Sequence, residues 1–133
     1  MSAFMQFEVF GRPEPQGSSR AFVHKGRAVV TSDNPNLKDW RNLISAAARE
    51  QMNGLPPLDS PVSVEVAFYL PRPKSVKREE PTVKPDLDKL VRAVLDGLTD
   101  IIYRDDAQVT SVRASKHYVT DAVPNPVAAI TVK

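Results

Sequence analysis

From Leu87 onward the apolar residues fall at 87, 90, 91, 94, 95 and 98. This is the i, i+3, i+4, i+7, i+8, i+11 stripe of an amphipathic helix, and it predicts a helix over residues 87 to about 98. Pro85 biases Lys84 away from the right-handed helical region, and a carboxylate at Asp86 accepts from the free N–H groups of a first turn, so the helix begins there. A period of two governs Val62, Val64, Val66, Phe68 and Leu70, which alternate with Ser63, Glu65, Ala67 and Tyr69 in the clearest strand of the chain. Met5, Phe7 and Val9 alternate with Gln6 and Glu8 in a half-buried strand ended by Gly11-Arg12-Pro13. Residues 109–119 and 127–132 read as two more strands with a turn at 121–126. A second helix starts at Asn34 as N-cap with Pro35 at its first position. It carries Leu37, Trp40, Ile44, Ala47 and Ala48 on one face and stops at Asn53-Gly54.

The connections are basic. Residues 12–27 form a polar stretch with a short hairpin at Lys25-Gly26 returning as Ala28-Val29-Val30. Residues 71–83 hold three prolines and the cations Arg72, Lys74, Lys77 and Arg78 with no apolar period, which predicts a mobile loop over about 71–84. The resulting order, strand, hairpin, helix, strand, helix, strand, strand, describes one α/β (α+β) domain spanning residues 1–133, with two main helices packed on a mixed sheet.

Composition narrows the chemistry. The chain of 133 residues has no cysteine and two histidines. Disulfides, thiolate nucleophiles and cysteine-based zinc sites are therefore excluded, and any metal must be held by oxygen, which favours Mg²⁺ or Mn²⁺. No run approaches 18 apolar residues and the first residues lack a signal-peptide pattern, so the expected location is the cytoplasm. Net charge is +2, but outside Asp86, Asp88, Asp105 and Asp106 there are 18 basic residues against 12 acidic ones. A basic surface around an acidic, cation-charged pocket suits a phosphodiester substrate.

Asp86 and Asp88 open the predicted helix, and Asp105 and Asp106 would join them if residues 101–107 returned along it. Carboxylates so close raise one another's pKa unless a cation lies between them. The same residues also suit plainer roles: a cap at Asp86, a first-turn acid at Asp88, an ordinary turn at Asp105-Asp106. Arg92 can face the acids or simply sit in a ladder of ion pairs with Asp88 and Asp96.

The stretch Lys84-Pro85-Asp86-Leu87-Asp88, with Leu90, Asp96, Leu98, Asp105-Asp106 and Gln108, resembles the signature of the RusA family of Holliday junction resolvases. Gly11-Arg12-Pro13, Pro15 and Gly17 upstream, and the run from Val62 through Leu70-Pro71-Arg72-Pro73-Lys74-Ser75, extend the likeness over most of the chain. Lys89 stands where that family usually has Asn, and Arg92 where it usually has Lys. The resemblance implies a homodimeric, Mg²⁺-dependent endodeoxyribonuclease that resolves four-way DNA junctions by paired symmetric incisions, in recombination and repair, and that is frequent in phage and prophage genomes. It implies Asp86, Asp88 and Asp106 as metal ligands, Asp105 as a further or alternate one, and Arg92 as a catalytic cation. Candidate DNA contacts are Arg12, Arg20, Lys25, Arg27, Arg72, Lys74, Lys77, Arg78, Lys84 and Lys89. Two other readings stay open: a junction-binding protein without catalysis, made conceivable by Lys89 and Arg92, and a carboxylate-metal phosphohydrolase acting on nucleotides.

Overall fold

The computed structural model describes residues 4–17, 19–32 and 34–133, with the backbone alone for 19–24 and 28–32. Four strands form one mixed sheet. They are β1 (Met5–Phe10), β4 (Val62–Leu70), β5 (Val109–Tyr118) and β6 (Val127–Val132), in the order β1-β6-β4-β5. β6 runs antiparallel to both β1 and β4, whereas β4 and β5 are parallel. β2 (Ser19–His24) and β3 (Arg27–Ser32) make a separate antiparallel hairpin. Its two-residue turn has Lys25 and Gly26 both at positive φ (51° and 76°), the geometry that matches the twist of the paired strands.

Helix α1 (Leu37–Met52) and helix α2 (Leu87–Leu98) pack together, α1 also against β1 and α2 against β5. The even positions of β4, 62 through 70, are all buried. With Leu37, Trp40, Ile44 and Ala48 of α1, and Leu90, Ala93, Val94 and Leu98 of α2, they make up the core. Gly97 lets the helices approach: a Cβ there would lie 2.8 Å from Ile44 Cγ2, inside any real contact, and Ser45 Oγ donates to the Gly97 carbonyl at 2.8 Å.

The α+β architecture and its two helices are as the periodicities predict, and α2 and β4 have the predicted ends. α1 starts later than expected. Asn34 caps a turn instead, its Oδ1 accepting from Asn36 N at 3.0 Å, and the helix begins at Leu37. Asn36 uses no side-chain cap, and the exit at Asn53 is left-handed (φ 48°), as the Asn-Gly stop requires.

The path after α2 also differs from expectation. Ile101 N and Ile102 N both donate to the Leu98 carbonyl, and the Tyr103 hydroxyl donates to the Leu95 carbonyl at 2.7 Å. Residues 101–103 thus pack at the C-terminal end of α2. The cause is the parallel pairing of β5 with β4: Val109 sits opposite Val62, at the start of β4, so the chain must re-enter the sheet at the end remote from Asp86.

Candidate active site

Asp86 and Asp88 lie on the first turn of α2, both exposed. Asp86 occupies the N-cap position with extended dihedrals (φ −70°, ψ 138°), and its carbonyl accepts from Leu90 N at 3.1 Å. Its carboxylate makes no capping hydrogen bond. The segment leading to it is held from the sheet, where Lys116 Nζ donates to the carbonyls of Val83 and Pro85, each at 2.8 Å. The Lys84–Pro85 bond is cis.

Asp105 and Asp106 occupy a tight turn held mainly by the Gln108 side chain. Gln108 Oε1 accepts from Arg104 N at 2.9 Å and Asp105 N at 3.0 Å, while its Nε2 donates to the Leu58 and Ser60 carbonyls at 2.8 and 3.0 Å. Asp105 Oδ1 accepts from Ala107 N at 2.9 Å, so this side chain is the cap of the turn. Asp106 carries no such duty. A hydrogen bond with Asp105, slight desolvation of this exposed carboxyl, and the charges of Asp105 and Asp96 raise its pKa above the usual carboxylate value, against an opposing pull from Arg92. Beneath it Tyr103 is fully buried. Burial foremost, with the charges of Asp106 and Asp96, pushes its hydroxyl well above the usual tyrosine value.

The charges of Arg92 and Asp96, both on α2, act on Asp106 in opposite directions. Among the described residues Arg92 forms no ion pair with Asp88 or Asp96, and Asp96 reaches Arg41 of α1 instead, at 3.9 Å. The helical rise puts Asp86 and Asp96 about 15 Å apart along the axis. Asp88 lies one turn before Arg92, whose charge acts on Asp106. Among the described residues no three carboxylates or histidines stand within reach of a single ion in this conformation. In kind, the donors fit a hard divalent cation. They are oxygens only, and Asp105 stands close enough to Asp106 to raise its pKa, chiefly through a hydrogen bond between them.

Beside Asp86 opens a pocket of about 520 Å³ lined by three segments that the sequence separates, 12–17, 34–35 and 70–89, and by Tyr118. The 12–17 segment is moored by Gln16 N donating to the Lys89 carbonyl (3.0 Å) and Asn34 Nδ2 to the Pro15 carbonyl (2.8 Å). Among the predicted DNA contacts, Arg12, Arg78, Lys84 and Lys89 line this pocket. Arg72 and Arg78 both lie with Cζ 5.7 Å from the centroid of the Tyr118 ring. Lys74 and Lys77 are exposed on the same loop, and Lys25 and Arg27 are exposed at the hairpin tip. The side chain of Arg20 lies outside the described residues.

Sequence reasoning missed Lys116, Tyr118 and Gln16. Lys116 was legible in part. It shares the strand face of Ala114 and Tyr118, where a lysine needs a partner.

The chain belongs to the RusA endodeoxyribonuclease family: the family described as "Endodeoxyribonuclease RusA" matches residues 11–130. Endonucleases that resolve Holliday junctions make up this family, and they generally depend on a divalent metal. The chain is also similar to the uncharacterized protein YqaN of Bacillus subtilis (strain 168), 35% identical over 126 residues that cover 86% of this chain and 87% of that protein. No helix among the described residues is long and apolar enough to cross a membrane.

Proposed function

We propose that this protein is a Mg²⁺-dependent endonuclease that resolves four-way DNA junctions by paired incisions as a homodimer. One observation carries the reading beyond family membership: the Asp86 carboxylate, at the N-terminus of α2, is left unused by the helix it precedes. A capping role would have consumed it.

Asp86, Asp88 and Asp106 would hold the cation, with Mn²⁺ as an alternative to Mg²⁺. When bound, the ion neutralises charge on the phosphate and lowers the pKa of water for attack. The remaining work belongs to the chain. Lys116 holds the Val83–Pro85 carbonyls and so fixes where Asp86 stands. Asp105 and Gln108 shape the turn that presents Asp106. Arg92 keeps a permanent charge beside Asp106, where it favours the ionised carboxylate and attracts the phosphate. Arg12, Arg72, Arg78, Lys84 and Lys89 contact the backbone near the cut, with Lys25, Arg27, Lys74 and Lys77 on its flanks. Each chain carries one acid set, and a four-way junction presents two equivalent strands, so a two-fold dimer supplies both incisions.

The test is a gel assay of a synthetic four-way junction against linear duplex of the same sequence, with Mg²⁺ and with EDTA. Symmetric nicks in the junction alone, and only with Mg²⁺, are expected. Binding without nicking under every metal condition would make the protein a junction binder, and nucleotide turnover without junction preference a phosphohydrolase.

A further inference from the structure

We propose that the pocket beside Asp86 receives one unstacked nucleotide of the strand to be cut, next to the scissile phosphate. The inference rests on the nuclease reading for the location of the cut, but its evidence is separate.

Size and stiffness come first. At about 520 Å³ the pocket lies within the range that holds a small organic ligand such as a single nucleotide. Seven of the chain's 12 prolines line it. Pyrrolidine rings have fixed φ and no N–H, so the proline positions bring apolar surface and no backbone donor that needs a partner. A wall already in place spends little ordering entropy when a ligand enters.

Charge and orphaned polar atoms then specify the occupant. Four cations, Arg12, Arg78, Lys84 and Lys89, face two acids, Glu14 and Asp86, which favours an anionic ligand. Among the described residues three buried side-chain polar atoms lack a hydrogen-bond partner, and two of them, the Tyr118 hydroxyl and Gln16 Oε1, belong to residues lining this pocket. Tyr118 itself is only 5% exposed. A buried polar atom left unpaired is costly, so two such atoms around one pocket point to a partner that arrives with the ligand. A hydroxyl that donates or accepts and an amide oxygen that accepts match what the edge of a nucleobase offers. An anion with a planar polar edge, delivered beside Asp86, is a nucleotide.

This occupant accounts for selectivity as well as affinity. Drawing a base out of a continuous duplex costs unstacking and unpairing energy, and the cost is least where stacking is already broken. At the branch point of a junction it is broken, so a pocket that must be filled for cleavage favours junctions over duplex without reading the shape of the four arms.

The test uses the full chain in EDTA with junctions carrying 2-aminopurine at each position flanking the branch, whose emission rises when the base unstacks. A several-fold rise is expected at one position adjacent to the cut, and none in duplex. Tyr118→Phe removes only an unpaired hydroxyl and keeps the ring, so it should fold with unchanged or higher stability. Together with Gln16→Leu it should suppress the rise and weaken junction binding about five- to tenfold, the scale of one or two lost hydrogen bonds. Flat emission at every flanking position while the junction is bound would overturn the proposal, as would wild-type emission and affinity in the double variant. The readout needs no cleavage: a rise without Mg²⁺-dependent nicking leaves the pocket standing and removes the nuclease, whereas nicking with flat emission does the reverse.

Discussion

Lys116 on β5 donates to the carbonyl of Pro85, the residue before Asp86, at 2.8 Å, and to that of Val83 at the same distance. A strand that is part of the core thereby fixes the backbone from which the first candidate ligand projects. Lys116→Met keeps the aliphatic stem and deletes both charge-assisted bonds. Such bonds contribute about 1.5–3 kcal/mol each when well buried, and in this partly exposed setting the loss of stability should be about 1–2 kcal/mol. The stronger effect should fall on cleavage at saturating protein, down tenfold or more, with junction affinity nearly unchanged. Lys116→Arg should recover part of the rate. Single-turnover kinetics beside a thermal melt separate the two effects, and equal rates for wild type and Lys116→Met would remove Lys116 from this role.

Gln108 holds the Asp105-Asp106 turn with all of its side-chain bonding capacity at once. Gln108→Ala strips two acceptor bonds from the turn and two donor bonds from the Leu58 and Ser60 carbonyls, and should cost about 2 kcal/mol or more in urea denaturation. Gln108→Glu keeps the acceptor side but sets a carboxylate against two carbonyls. Its deficit should therefore shrink as pH falls and the new acid protonates, a dependence that Gln108→Ala will not show.

The two periodic elements, α2 and β4, were readable because their apolar stripes are bounded, β4 by Pro61 and Pro71 and α2 by Asp86 at its start. The start of α1 was not, since Asn34 and Asn36 are equally good caps on paper and only the Asn34 bond to Asn36 N decides between them. The acid motif was legible too, but its spacing in three dimensions was not. Whether Asp106 lies near Asp86 depends on which end of the sheet β5 enters, and that follows from pairing with β4, a partner more than 40 residues earlier. The pocket was hidden for the same reason: Gln16, Asn34, Arg78 and Tyr118 share no local pattern.

Asp106 gives a pH-dependent signature. Its folded pKa is raised, chiefly by Asp105. A carboxyl raised in the folded state favours the protonated form, so its contribution to stability is present at low pH and is lost as pH rises through the elevated value. At neutral pH without divalent cation Asp106 is thus a source of repulsion. Asp106→Asn should stabilise the metal-free protein by a few tenths of a kcal/mol, the scale of an exposed like-charge pair, and the gain should vanish below the normal carboxylate range. Added Mg²⁺ should raise the melting temperature of wild type and not of the variant. Melts across pH 3–8, with and without Mg²⁺, check both statements.

Asp86→Asn and Asp88→Asn separate chemistry from architecture. Each removes a negative charge from a surface that must accept a phosphate, so junction binding in EDTA should be kept or improved. Asparagine is as good an N-cap as aspartate, and the Asp86 carboxylate caps nothing here, so stability should change by less than about 0.5 kcal/mol. Cleavage in Mg²⁺ should nonetheless fall by several orders of magnitude, because a neutral amide is a poor ligand for a hard cation. Arg92→Lys should keep much of the rate, since it retains the charge beside Asp106, and Arg92→Ala should lose it. Fold and binding act here as internal controls: a variant that melts and binds as wild type but no longer cuts has lost a catalytic group. Near wild-type cutting by both Asp86→Asn and Asp88→Asn would show these acids to be helix-terminal charges with no part in the reaction.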